Sequence, residues 1–377
     1  MRKILFALLI FSFSIAASSQ TVVPKGTLHF FVGTYTEENG SEGIYSYGLD
    51  PGSGKLHSNG LAVLSENPSY LILTMDGKHL ISVREMLDEN NRKMGYIEIF
   101  NVDANGSLSS VNKVPSGGAN PCHVAVNEDG AVLSSNYSGG NITLMRIEAS
   151  GELSEVLSAD QHQGPGPVAG RQEAPHVHSA LFEPKKKRIF VADLGIDKVK
   201  VYTIESKTFT LKPFKYPEIK LAPGSGPRHM VLHPNGKLLY IANELACSVT
   251  IVQLLDNGSF RVLESVSTLP ADYTKPNTCA DIHLTADGKF LYVSNRGMNS
   301  ISIFTVDEKG SKIKLIGHED SRGAMPRNFT LTPDGTFLLV ANQNTNNIVA
   351  FRRNGETGAL TFTDQINANK PVCLLFK

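Results

Sequence analysis

Gly226-Pro227-Arg228-His229-Met230-Val231-Leu232-His233-Pro234-Asn235-Gly236-Lys237-Leu238-Leu239-Tyr240-Ile241-Ala242-Asn243 reads as two short apolar strands joined by a tight Asn-Gly turn. The unit recurs. Further copies open at Asn67-Pro68-Ser69-Tyr70, Asn120-Pro121-Cys122-His123, Ala174-Pro175-His176, Cys279-Ala280-Asp281 and Met325-Pro326-Arg327-Asn328. Their second strands end at Arg84, Asn136, Asp193, Asn243, Asn295 and Asn342, at intervals of 52, 57, 50, 52 and 47 residues. Each is followed by an alternating strand such as Tyr96-Ile97-Glu98-Ile99-Phe100 or Ile301-Ser302-Ile303-Phe304, then a polar turn and one more strand. A four-strand repeat near 50 residues is the size of a propeller blade. Seven second halves but only six complete first halves are present, and the termini supply the rest. Pro371-Val372-Cys373-Leu374-Leu375-Phe376 is a first strand with nothing after it, and Phe30-Phe31-Val32-Gly33-Thr34-Tyr35 a second strand with nothing before it. The chain therefore reads as an all-β, seven-bladed β-propeller of four-stranded blades, its ring closed by pairing of the N- and C-terminal strands, which leaves no exposed edges there.

Lysine plus arginine and aspartate plus glutamate each number 36 in 377 residues. Zero net charge gives no electrostatic case for nucleic acid or an anionic membrane surface. Arg2 and Lys3 precede an apolar run from Ile4 to Ile15 and the small residues Ala16, Ala17, Ser18 and Ser19. This pattern predicts a signal peptide over 1–19, cleaved before Gln20, and export to the periplasm. The run is too short to span a bilayer comfortably, so no membrane association is expected after cleavage. Residues 20–377 then form one propeller domain, a monomer or weak dimer. Cys122, Cys247, Cys279 and Cys373 lie far apart with no metal-ligand spacing, and are expected as free buried thiols.

In a propeller the first strand of each blade lines the central channel, so residues opening first strands meet residues closing the antiparallel second strands on one face. Superposed repeats put Cys122, His178, Arg228 and Arg327 at one level and His123, Ser179, His229, Asp281 and Asn328 one step further in. Arg84 with Glu85, Asn243 with Glu244, and Asn295 with Arg296 end the second strands. The long loop Gln163-Gly-Pro-Gly-Pro leads over this rim to Arg171-Gln172-Glu173-Ala174-Pro175-His176-Val177-His178-Ser179. Guanidinium groups hold carboxylate or phosphate in a bidentate fashion, and histidine titrates near neutrality. The rim therefore suits a small anionic ligand. Structural readings stand beside this one. His123 and His229 suit inter-blade hydrogen bonds equally well, and the arginines suit ion pairs with Glu85, Glu244 or Asp193. Two extra residues in the copy that opens at Ala174 leave either His176 or His178 aligned with Arg228. The Asp-Gly turns at Asp76, Asp129, Asp287 and Asp334 read as turn chemistry, and Lys185-Lys186-Lys187-Arg188 as a solvated turn on the opposite face.

Gln172-Glu173-Ala174-Pro175-His176-Val177-His178, Gly226-Pro227-Arg228-His229, Asn243-Glu244 and Asn295-Arg296-Gly297 together resemble the seven-bladed propeller lactonases. That group includes propeller-type bacterial 6-phosphogluconolactonase and fungal carboxymuconate lactonizing enzyme, and the likeness covers nearly the whole chain after the leader. The resemblance implies metal-independent, cofactor-free hydrolysis of an anionic sugar lactone. It places the catalytic groups at His176 or His178, Arg228, Glu244 and Arg296. Arg84, Arg171, His123, His229 and Arg327 join them as substrate-binding candidates from the rim. A leader peptide departs from a cytoplasmic sugar-phosphate enzyme. Muconate-type cycloisomerisation, a non-catalytic exported sugar- or protein-binding propeller, and a calcium-dependent lactonase are the competing expectations. The last is disfavoured by a rim rich in arginine and poor in carboxylates.

Overall fold

A computed structural model describes residues 26–36, 40–86, 94–103, 106–184 and 187–377; the leader 1–19 lies outside them. Among the described residues the strands form seven four-stranded antiparallel sheets, each in consecutive order except the one that joins the termini. In that sheet Pro371–Phe376 pairs with Leu28–Thr34 (Phe30 opposite Phe376, Val32 opposite Leu374), which then pairs with Gly43–Leu49. The two terminal fragments do complete the seventh blade.

The middle strands are buried along their whole length, as in Ala131–Asn136, Leu238–Asn243 and Phe337–Asn342. Their continuous apolar runs follow from packing a neighbouring blade on each face. The outermost strands, such as Phe260–Ser267, are largely exposed on the rim of the disc. Seven hydrophobic cores result, one per blade–blade junction; Phe337 and Leu339 meet Phe30 and Tyr47 at one, and Leu238 and Tyr240 meet Leu291 and Val293 at another. The asparagines that end second strands are structural. Asn243 Nδ2 donates to Ser248 Oγ (2.9 Å) and Thr250 Oγ1 (2.8 Å), and Asn295 Nδ2 to Ser302 Oγ (2.7 Å).

One irregularity recurs on the innermost strands and positions the site. The register slips by a residue between Pro121 and His123, Val177 and Ser179, Pro227 and His229, and Pro326 and Asn328. A β-bulge re-aims the extra residue, and those residues are Cys122, His178, Arg228 and Arg327. His178, not His176, is thus the structural equivalent of Arg228. Gly226 enters its strand at φ +62°, where an added Cβ would lie 2.4 Å from Leu245 Cγ, so only glycine fits there.

The Asp-Gly turns behave as expected: Asp76, Asp287 and Asp334 each accept a threonine hydroxyl two residues back and a backbone N–H two residues on. All four cysteines are free and buried. The basic run needs correction at Arg188. Lys185 and Lys186 lie outside the described residues and Lys187 is exposed, but Arg188 is only 1% exposed. Its guanidinium is held by Glu183 (2.5 and 2.7 Å) and sits 5.3–5.6 Å from the rings of Phe190, Phe214 and Phe260. As the residue entering a fully buried strand, it points between blades.

Candidate active site

Glu244 follows directly on the second strand Leu238–Asn243, with its N–H bonded to the Gly226 carbonyl (2.7 Å) and its carbonyl taken by the Cys279 N–H of the next blade (3.1 Å). Those two bonds fix the backbone and aim the carboxylate at the mouth of the channel. Three guanidiniums converge on it. Arg296 Nη2 is 2.9 Å and Arg228 Nε 3.1 Å from Oε2, and Arg171 Nη2 is 2.5 Å from Oε1. The Arg228 approach is a close ion pair rather than a well-directed hydrogen bond, since its Nε has no acceptor in line. Arg228 is further braced by Nη1 donating to the Ala280 carbonyl (2.5 Å), and Arg296 by Nη2 to the Cys279 carbonyl (2.9 Å). His178 Nε2 lies 3.9 Å from Glu244 Oε2, and its Nδ1 3.7 Å from Cys122 Sγ.

Burial alone would raise the Glu244 carboxyl, but Arg296, Arg228 and Arg171 outweigh it and hold the pKa at about 2. The same burial, with the charge of Arg296, lowers Arg228 to about 10. His178 is held well below its ordinary value by burial and by Arg228, so its imidazole is neutral. Three guanidiniums against one carboxylate leave two formal positive charges in excess at a water-poor site.

Arg171 comes from the long loop, which is anchored by Gln172: its Nε2 donates to the Leu194 carbonyl (2.7 Å) and Asp197 Oδ1 (2.8 Å). The Arg171 side chain is 38% exposed and forms the outer wall. His176 stacks flat on Tyr137 (4.4 Å, 12°), which also abuts His178 edge-on at 5.4 Å. Tyr137 and Cys122 are therefore parts of this mouth absent from the candidate roles above. Spacing placed Cys122 on the rim, but only side-chain direction shows what either residue touches. Arg327 lies over the Tyr35 ring (5.3 Å); burial disfavours its charge, but Tyr35 and Glu85 more than offset that and raise its pKa.

Other candidates lie elsewhere. Arg84 is held within its own blade by Glu98 (3.4 Å) and by Glu66 (3.8 Å). His123 and His229 sit one level deeper, in a layer with Tyr70, Asp281 and Asn328. His123 packs against Tyr70 with the rings tilted at 4.2 Å, His229 Nδ1 bonds Asp281 Oδ1 at 2.8 Å, and Asn328 Nδ2 donates to Asp281 Oδ2 at 2.5 Å. Asp193 is a structural acceptor for His162, the His176 N–H and the Gly195 N–H. Among the described residues no group of three or more His, Cys, Asp or Glu is arranged to hold a metal ion.

Residues 29–376 match the family described as Lactonase, 7-bladed beta-propeller. The chain is 39% identical over 345 residues to a protein of Formosa agariphila named 6-phosphogluconolactonase, covering 88% of this chain and 94% of that one. It is 35% identical over 350 residues to a protein of the same name from Bacillus subtilis, covering 92% and 97%. Among solved structures it resembles the periplasmic gluconolactonase of Pseudomonas aeruginosa, with 30% identity, a TM-score of 0.88, and 93% and 99% coverage.

Proposed function

This chain belongs to the seven-bladed β-propeller lactonase family, and from that premise we propose that it hydrolyses a sugar lactone of the gluconolactone type at the mouth built around Glu244. The observation that carries the reading is the Glu244–Arg171–Arg228–Arg296 cluster beside His178. Its excess positive charge suits a phosphorylated sugar, and also the carboxylate that ring opening creates.

Water attacks the lactone carbonyl while His178 accepts its proton as general base. The resulting oxyanion is stabilised by the guanidiniums. Collapse breaks the ring C–O bond, and the imidazolium returns the proton to the departing alkoxide. Glu244 is a poor base at a pKa of about 2. Its part is to hold the arginines in place and to face the transient imidazolium from 3.9 Å. Of the two histidines, the bulge favours His178 for the proton; His176, stacked on Tyr137 and 3.0 Å from its carbonyl, positions the wall. The leader-like N-terminus and the periplasmic neighbour support export and an extracytoplasmic lactone.

The test is a pH-stat assay of the purified protein on glucono-lactone and its 6-phosphate. His178→Ala is expected to lower kcat by about 10²–10⁴-fold with KM little changed and the fold intact. Turnover no faster than spontaneous hydrolysis on both lactones would overturn the reading.

A further inference from the structure

The channel is not open from end to end. The Tyr70–His123–His229–Asp281–Asn328 layer crosses it, tied together by ring contacts and by hydrogen bonds to Asp281. On the side away from Glu244 this layer is the floor of a second chamber of about 660 Å³. Its walls are mostly apolar, drawn from the channel-facing parts of successive inner strands, with Leu181, Phe182, Met230 and Val231 among them, while Glu128, Asp129, Glu183 and Lys187 also line it. A volume of this order, apolar walls and a few convergent polar groups characterise small-molecule sites.

The floor has a defined polarity. Asp281 is kept ionised: burial opposes its charge, but His283 and His229 outweigh that and hold it well below the usual carboxylate range. Its Oδ1 faces His229 Nδ1 (2.8 Å) and its Oδ2 faces His283 Nε2 (3.1 Å). His229, lowered to about 4, is neutral; its Nδ1 carries the proton towards Asp281, and its Nε2 is left as an acceptor. Asn328 Nδ2 and the backbone N–H groups of Ile282 and Phe329 complete the shell around Asp281, so the carboxylate has no lone pair to spare for a ligand. His123, 8% exposed, has a buried Nδ1 with no partner at the same floor. The arginines belong to the other mouth, where Arg228 is committed to Glu244.

We propose that this second chamber binds a small molecule with an apolar body and a hydrogen-bond-donating head, such as an alcohol, and discriminates against carboxylates. The apolar body fills the walls, and the head donates to His229 Nε2 above Asp281. A carboxylate there would face an ionised Asp281 and find an acceptor where it needs donors.

The experiment uses the whole protein and the pair 4-butylbenzyl alcohol and 4-butylbenzoate, which share a body and differ in the head, with binding read by titration calorimetry. The alcohol is expected to bind at least tenfold more tightly than the carboxylate. Leu181→Trp, which fills the chamber from a half-buried wall position, is expected to weaken alcohol binding at least tenfold while leaving lactone hydrolysis unchanged. If Leu181→Trp fails to fold, Val231→Phe from a neighbouring blade serves the same purpose. Equal or tighter binding of 4-butylbenzoate, no binding of the alcohol up to its solubility, or alcohol binding unaffected by the filling variant would each overturn the proposal. Because activity is read at the other mouth, failure here leaves the lactonase reading standing, and the reverse.

Discussion

Replacing Glu244 by glutamine keeps the shape of the side chain but removes the one negative charge that three guanidiniums share. Two of them, Arg228 and Arg296, have side chains 3% and 8% exposed, so water cannot take over the role. The carboxyl sits at about 2 in the folded protein against an ordinary 4.5. At 1.36 kcal/mol per pKa unit this difference is worth about 3 kcal/mol. Removing one partner of a buried ion pair typically costs about 3–5 kcal/mol, which agrees. The sign follows from the lowered pKa: this stability is fully present above about pH 4.5 and is lost as pH falls towards 2. Glu244→Gln should therefore unfold about 3–5 kcal/mol more easily in urea at pH 7, and the gap to wild type should narrow as pH falls below 4. In a Glu244→Gln, Arg228→Met double variant one stranded cation is gone, so the two changes should be less than additive by at least about 1 kcal/mol. Wild-type stability in Glu244→Gln at pH 7, or strict additivity in the double variant, would refute the account of this cluster as a carboxylate-centred cage.

Arg171 is the exposed member of the cage, and Arg171→Gln should change urea stability by less than about 1 kcal/mol while raising KM for an anionic lactone more than it lowers kcat. His229 is lowered from 6.5 to about 4 by burial and Arg228, and His123 and His178 are lowered too. The unfolded chain binds those protons first, so stability should fall as pH drops from about 6.5 to about 4, by about 3 kcal/mol for His229 alone; melting curves across that range check it. For the same reason the rate of lactone hydrolysis should hold its neutral-pH value well below pH 6.5, read from a kcat profile. Arg188→Met strands the buried Glu183 carboxylate and should cost about 3–5 kcal/mol, much of it recovered in Arg188→Met, Glu183→Gln.

The blades were legible because a strand packed on both faces must be apolar throughout, and turns joining such strands admit few residues. Repetition then turned weak local signals into a register, and the register brought Arg228, Glu244, Arg296 and the His176–His178 pair to one mouth. Which histidine aligned with Arg228 was not legible, since counting from either flank gave a different answer. The choice depends on a backbone bulge that spacing does not encode. Arg188 misled for a related reason: three adjacent lysines look solvated, and only the strand's entry angle turns the fourth cation inward. Arg84 looked like the other rim arginines, but its partner Glu98 stands on the next strand, opposite Ser82. The second chamber left no motif at all, because its volume is set by side-chain sizes summed around the ring.

The seam between the ends of the chain bears on synthesis. Lys377 N–H bonds the His29 carbonyl, so the strand Pro371–Phe376 is stitched to the first strand of the disc. Six blades can assemble as they leave the ribosome, but the first must wait with its innermost strand missing until Pro371–Phe376 has been made. Closing so long a loop adds little entropic cost over closing a shorter one, since that cost grows only with the logarithm of length. The delay therefore governs timing more than stability. Until then, the unpaired edge of Leu28–Thr34 is open to strands from other nascent chains, and a stall before Pro371 would leave a nearly finished ring with that edge still exposed.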